Sequence, residues 1–212
     1  ARYADDFLVG IIGSKQDAQQ IKEDIKNFLA DKLALELSDE KTLVTHTKRP
    51  AKFLGYEISV RKSNEQRRDK RGRLRRTYGK RVCLNVSSET VRKKLFDLGV
   101  LEMANRNGKE IWKPKCKSGL IFNDDLEILD SYNREIVGFY NYYSIGNNCA
   151  HALNNFSYIM QYSMYKTFAG KYKCRTRKVN KKYRKNGRFI VKHMTKTGVK
   201  ERYFYDGGFK RK

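Results

Sequence analysis

Ala1-Arg2-Tyr3-Ala4-Asp5-Asp6-Phe7-Leu8-Val9-Gly10-Ile11-Ile12 sets two adjacent carboxylates between a Tyr-Ala pair and an apolar run. Residues 7–12 read as a buried strand, short, apolar and β-branched towards its end. Tyr3 favours a strand as well. Asp5 and Asp6 are therefore expected at the tip of a hairpin or at a strand end. Two like charges held there repel each other, and a divalent cation relieves the repulsion. Hard cations such as Mg²⁺ prefer oxygen ligands and also bind phosphate, and a pair of them aligns attacking and leaving oxygens for phosphoryl transfer. A bare Asp-Asp pair, by contrast, is ordinary turn chemistry. The residues around it decide between the two.

Working outward, Gly13 and Ser14 punctuate the chain, and Ser14 or Asp17 can cap a helix. Ala18, Ile21, Ile25, Phe28 and Leu29 recur at helical spacing, which predicts an amphipathic helix packed on a sheet. Leu33, Leu35 and Leu37 alternate as in a short strand, residues 38–42 read as a turn, and Leu43-Val44-Thr45-His46 as another strand. Lys52-Phe53-Leu54-Gly55-Tyr56-Glu57-Ile58-Ser59-Val60 is a further strand, with Gly55 allowing a bulge or a close backbone approach. The βαβββ order indicates an α+β arrangement.

The chain has 212 residues and a formal charge of +24. That length buries one good core or two small ones. The charge exceeds what solubility needs and predicts a polyanionic partner, most simply nucleic acid. No stretch approaches the length of a spanning helix, so no membrane partner is expected, and no signal peptide is expected. Cys83, Cys116, Cys149 and Cys174 lack zinc-site spacing, and the three histidines do not flank them, which suggests reduced thiols.

Basic residues concentrate twice. Residues 61–81 carry Arg67, Arg68, Lys70, Arg71, Arg73, Arg75 and Arg76 with few apolar neighbours, as a basic linker or long hairpin able to lie along phosphates. Residues 171–185 carry Lys171, Lys173, Arg175, Arg177, Lys178, Lys181 and Lys182, with Tyr172 and Tyr183 interleaved. Cations there suit an RNA backbone and aromatics suit unpaired bases. Between the two runs the pattern is helical. Ser87 or Ser88 caps a first helix through Val91, Leu95, Leu98 and Leu101. Residues 105–117 read as a loop containing Trp112. Asn123 or Asp124 caps a second helix, and Asn147-Asn148 starts a third with Leu153, Phe156, Met160, Met164 and Phe168 on one face. Three helices with short connections make a small all-α bundle.

Tyr3-Ala4-Asp5-Asp6 before a hydrophobic strand resembles motif C of reverse transcriptases, and the longer RYADDFLVG string resembles the group II intron-encoded reverse transcriptase/maturase family. LELSDEKT resembles motif D of these polymerases, and KFLGYEI the primer-grip region that follows. Tyr132-Asn133-Arg134-Glu135-Ile136-Val137-Gly138-Phe139-Tyr140-Asn141-Tyr142-Tyr143 and Ser163-Met164-Tyr165-Lys166-Thr167-Phe168-Ala169-Gly170-Lys171-Tyr172-Lys173 resemble the two signatures of the maturase domain, also called domain X or the thumb. Phe168 stands where the family has Leu, and Gly170 where a basic residue is common.

The resemblance implies the C-terminal part of such a protein. It assigns residues 1–62 to the end of the palm, 63–82 to the basic linker or hairpin, 83–186 to thumb/domain X and 187–212 to a basic tail. Asp5 would be a metal ligand and Asp6 the second carboxylate of its motif. Lys41 would protonate the pyrophosphate leaving group, and Phe53, Leu54 and Gly55 would hold the primer end. Arg134, Tyr142 and Lys166 join the basic residues named above as RNA contacts. The implied partners are group II intron RNA, an RNA template with a DNA primer, deoxynucleoside triphosphates, and the fingers and first half of the palm that this stretch lacks. The implied location is the cytoplasm of a bacterium or an organelle, not secretion. The motif-A aspartate, which in the family binds both metals, has no counterpart here, so the chain alone is expected not to polymerise DNA. RNA-directed DNA polymerase of the intact protein, RNA-binding maturase, and a basic RNA-binding remnant or scaffold remain open readings. Other reverse transcriptase classes, such as retron enzymes, remain open for the first segment.

Overall fold

The computed structural model describes residues 1–61, 66–76 and 81–212, leaving aside the side chains of Arg67 and Arg76. The chain divides into two units, residues 1–84 and residues 85–212, each mixing helix and strand. The expected end of a first domain at residue 62 lies outside the described residues.

In the first unit β1 (Arg2–Tyr3) pairs antiparallel with β2 (Asp6–Phe7), with Tyr3 opposite Asp6. The pairing ends at the Leu8 N–H, which donates to the Ala1 carbonyl over 2.7 Å. Residues 9–12 do not continue the strand, and Ile12 is fully exposed, contrary to the expected buried strand over 7–12. A strand needs a neighbour for its N–H and C=O groups, and no described segment pairs with these residues. Helix α1 (Lys15–Leu33) starts at Ser14 with a reciprocal capping box: Ser14 Oγ accepts from the Asp17 N–H, and the Asp17 carboxylate accepts from the Ser14 N–H. No α1 residue is buried, so its apolar stripe is not packed on a sheet as its spacing suggests.

Leu33 closes α1, Ala34 caps it in the left-handed region, and residues 35–37 and 43–46 form no strand. The turn between them is present, closed by the Thr42 N–H on the Ser38 carbonyl. The single strand expected over residues 52–60 is a hairpin instead: β3 (Ala51–Phe53) turns through Leu54 and Gly55 into β4 (Tyr56–Arg61). Leu54 and Gly55 both have positive φ, 50° and 76°. That is the signature of the two-residue turn whose twist matches a hairpin. β5 (Gln66–Arg68) and β6 (Leu74–Arg76) form a second hairpin. β7 (Arg81–Val86) completes a sheet in the order β3-β4-β7.

The second unit holds the well-packed core. Helix α2 (Ser88–Asp97) is capped by the Ser87 hydroxyl. The segment expected to be a loop is the hairpin β8 (Leu101–Arg106) and β9 (Lys109–Pro114), turned by Asn107 and Gly108 with φ of 53° and 72°. Leu101 therefore belongs to a strand and not to the first helix. A short 3-10 turn (Ser118–Leu120) leads to α3 (Asp125–Tyr143), capped by the Asp124 carboxylate. α4 (Cys149–Lys171) and α5 (Thr176–Tyr183) follow. The chain ends in a sheet of order β10-β11-β12, formed by β10 (Arg184–Lys185), β11 (Arg188–Thr195) and β12 (Gly198–Tyr203).

This unit is therefore not an all-α bundle, and residues 187–212 are not a tail. Phe189, Val191, Phe204 and Phe209 are buried, and Phe189 packs on Phe168 and Tyr183. The centre is α3 against α4, with Ile128, Leu129, Ile136, Leu153, Phe156, Met160, Met164 and Phe168 withdrawn from water. Two asparagines fix the segments around this core. Asn148 exchanges both its amide atoms with the backbone of Val86, at 2.8 and 2.9 Å. Asn133 does the same with Tyr203 and Tyr205, both at 2.9 Å.

Candidate nucleic-acid interface

The end of α4 reverses into α5 within four residues. The N–H groups of Tyr172, Lys173 and Cys174 return to the carbonyls of Phe168, Gly170 and Ala169, and Lys173 takes a left-handed φ of 47°. α5 then starts at Thr176, with Arg175 in the cap position. The reversal opens a groove of about 850 Å³ lined by Ala169, Gly170, Lys173, Cys174, Arg175, Arg177, Lys178 and Lys181. Five of these are cations, all exposed, and none of the described lining residues is acidic. Like charges packed this closely repel one another, and a polyanion relieves that cost while releasing its own counterions. The small Ala169 and Gly170 leave the floor accessible.

Asp125, in the first turn of α3, holds this reversal in place. Its carboxylate accepts from the Lys171 ammonium at 2.7 Å, from the Tyr172 hydroxyl at 2.7 Å and from the Tyr183 hydroxyl. Burial acts to raise the Asp125 pKa, but the hydrogen bonds from Lys171, Tyr183 and Tyr172 outweigh it and hold the carboxyl below the usual carboxylate range. Burial, then the bond to Asp125, push the Tyr183 hydroxyl well above its ordinary value, so it stays a donor. Lys182 lies over the rings of Tyr172 and Tyr183, 4.4 and 4.8 Å from their centroids. Tyr183 is buried, so it cannot take the base-stacking place its position among cations suggests. Sequence spacing could not reveal Asp125, because its partners lie 46 to 58 residues away.

The residues expected to touch nucleic acid therefore fall into separate groups. Lys173, Arg175, Arg177, Lys178 and Lys181 share the groove. Lys171 is tied to Asp125 and to the Asn123 carbonyl, and Lys182 to the two rings. Lys166 is exposed on α4 and donates to the Pro114 carbonyl at 2.7 Å. Arg134 and Tyr142 are exposed on α3 and do not line the groove. In the first unit Arg68, Arg71 and Arg75 are exposed on the β5–β6 hairpin, where Asp69 pairs with Arg75 at 3.0 Å. The side chains of Arg67 and Arg76 lie outside the described residues.

The carboxylate pair sits where the sequence puts it. Asp5 occupies the turn between β1 and β2, Asp6 is the first residue of β2, and both are exposed. Ala4 turns the chain with φ of 47°, a region that favours glycine. Lys41 is exposed in the turn after α1, and among the described residues no hydrogen bond or ion pair joins it to Asp5 or Asp6. Phe53 ends β3 opposite Tyr56, and Leu54 and Gly55 form the β3–β4 turn. Among the described residues no three His, Cys, Asp or Glu side chains are grouped to hold a metal ion. Two exposed carboxylates fall short of the oxygen set that a divalent metal centre demands, so the residues present do not by themselves fit Mg²⁺. The four cysteines are free thiols, and no described helix is long and apolar enough to cross a membrane.

Comparison with known proteins gives two family matches in chain order. Residues 1–58 match the reverse transcriptase (RNA-dependent DNA polymerase) family, and residues 79–203 match the type II intron maturase family. The second match spans β7 to β12 and so takes in most of the segment read from sequence as a tail. The group II intron-encoded protein LtrA of Lactococcus lactis subsp. cremoris is 39% identical over 204 residues, covering 96% of this chain and 33% of the relative. The putative COX1/OXI3 intron 1 protein of Saccharomyces cerevisiae is 34% identical over 180 residues, 82% of this chain and 21% of the relative. The mitochondrial protein ymf11 of Marchantia polymorpha is 25% identical over 238 residues, 90% of this chain and 31% of the relative. The chain thus spans about a third or less of the length of these curated relatives.

Proposed function

The chain belongs to the type II intron maturase family, and from that premise we propose that residues 85–212 bind structured intron RNA through the groove at the α4–α5 reversal. The observation that carries this reading is the convergence of Lys173, Arg175, Arg177, Lys178 and Lys181 on one groove with no acidic residue among its described lining. Binding that favours the folded intron over its unfolded forms stabilises the splicing-competent RNA by mass action, and no chemistry by the protein is required. The second unit then corresponds to thumb/domain X, with the β8–β9 hairpin and the C-terminal sheet as integral parts of it.

A second reading applies to the first unit, favoured by two adjacent exposed carboxylates on a hairpin within a reverse transcriptase match. Residues 1–62 are the end of a polymerase palm. Asp5 and Asp6 contribute to a metal centre whose remaining ligands lie elsewhere in an intact protein, Lys41 acts on the leaving group, and the β3–β4 turn grips the primer. Template, primer and deoxynucleoside triphosphates are partners of that intact protein. Filter binding of a group II intron RNA against an unrelated RNA of equal length tests the first reading. Saturable preference for the intron at moderate salt is expected, and equal affinity for both RNAs would reduce the chain to a basic scaffold.

A further inference from the structure

The outward face of α4 carries a stripe that the groove does not explain. His151, Asn155, Tyr158, Tyr162 and Lys166 follow one another at spacings of three or four residues, so they share one face of the helix, and all five are exposed. Tyr158 and Tyr162 keep 56% and 42% of their surface in water, although their rings lie 4.6 Å apart. Tyr162 leans edge-on against buried Tyr165 at 5.6 Å, and Tyr165 packs on Phe189 at 5.5 Å. The ring pair therefore stands on the core and is not a loose surface group. Beside it, the Asn155 amide and the His151 ring lie 3.5 Å apart. At the other end the Lys166 ammonium gives one hydrogen to Pro114 and keeps two. The 23 residues of α4 include no Asp or Glu. Lys166 lies one turn before Ala169 and Gly170, which line the groove.

We propose that this stripe is a stacking platform for unpaired bases of the RNA whose backbone occupies the groove. The inference rests on the groove reading above. Tyr158 and Tyr162 offer ring faces to two successive bases, Asn155 and His151 offer hydrogen bonds to base edges, and Lys166 meets the phosphate that leads into the groove. Charge complementarity selects this occupant: a chain of charge +24 with no carboxylate on this helix suits a polyanion better than a protein surface. Base pairing hides the faces that the rings need, so the platform selects single-stranded loops over duplex.

The test uses the full chain with two probes, a hairpin RNA carrying 2-aminopurine in an unpaired loop and a fully paired duplex of the same length. The wild-type chain is expected to prefer the hairpin and to quench its 2-aminopurine. Tyr158→Ala and Tyr162→Ala should each weaken hairpin binding about tenfold, as loss of one stacked base predicts. They should leave the duplex affinity and the salt dependence unchanged. Tyr158→Phe and Tyr162→Phe should restore preference and quenching, because stacking needs the ring and not the hydroxyl. Unaltered circular dichroism of the alanine variants verifies the fold. Equal affinity for the two RNAs, or alanine variants that quench like wild type, would overturn the platform while leaving the groove reading intact. A wild-type chain that binds neither RNA would refute the groove reading and the platform with it.

Discussion

Replacing Asp125 by alanine removes the one carboxylate that Lys171, Tyr172 and Tyr183 share, and so releases α5 from the start of α3. A hydrogen bond to a charged group contributes about 1.5–3 kcal/mol. Three such bonds do not simply add here, because the Asp125 and Lys171 side chains retain 19% and 21% exposure and water takes up part of the loss. A cost of about 3 kcal/mol follows, at the lower end for breaking a buried pair. For a unit of this size that corresponds to about 10 °C in Tm. The pH dependence has a definite sign. The folded carboxyl lies below its unfolded value, so its stabilisation is complete above the unfolded carboxylate pKa of about 3.9. It is lost as pH falls through the depressed folded value. Thermal melts of the wild type should show this acid limb, and melts of Asp125→Asn should show a flatter one. Amide exchange should accelerate first in α5. A Tm of Asp125→Ala within about 2 °C of wild type, with α5 exchange unchanged, would refute the claim that this carboxylate organises the groove.

Three further expectations follow from the same structure. Tyr132→Phe removes a buried hydroxyl bonded to Ser163 and Thr167 at 2.9 Å each, and should cost about 1.5 kcal/mol in urea unfolding, since both partners keep other bonds. Gly108→Ala meets no atom within 4 Å but must hold φ at 72°, so it should destabilise the β8–β9 hairpin by about 1 kcal/mol through backbone conformation alone. Primer extension on an RNA template with Mg²⁺ should give no product with this chain alone, and Asp5→Asn should change nothing. Extension abolished by Asp5→Asn would mean that the missing ligands come from within the chain or from a second copy.

What the sequence revealed depended on how local the cause was. Ser14 with Asp17, Ser87 and Asp124 announced their helices because a cap acts within three residues. The strands expected at residues 33–37 and 43–46 failed because alternation specifies a face, while a strand also needs a partner. Leu54-Gly55 and Asn107-Gly108 were legible in principle: both are two-residue turns of positive φ, and Asn-Gly is the strongest short hairpin signal. The tryptophan-bearing segment reads as a loop because its polar residues mask that turn. α5 was hidden by its charge, since only Val179 and Tyr183 face the core. The cations of the groove were all named from composition. The Asp125 tether that sets Lys171 apart from the groove residues was not legible, because it rests on contacts between residues 46 and more apart. The Asp5-Asp6 turn was legible as geometry, and among the described residues no third carboxylate, His or Cys joins the two to make a metal centre.

The most direct test of the RNA-binding account is the salt dependence of group II intron RNA affinity, measured for the wild type and for a variant with Lys173, Arg175, Arg177, Lys178 and Lys181 all replaced by Gln. Each phosphate contact contributes about 0.7 to 0.9 to the slope of log affinity against log salt. The account predicts a slope shallower by about four in the variant, with affinity approaching that of the wild type at high salt. An unchanged slope would contradict it and would place the RNA on another face of the protein.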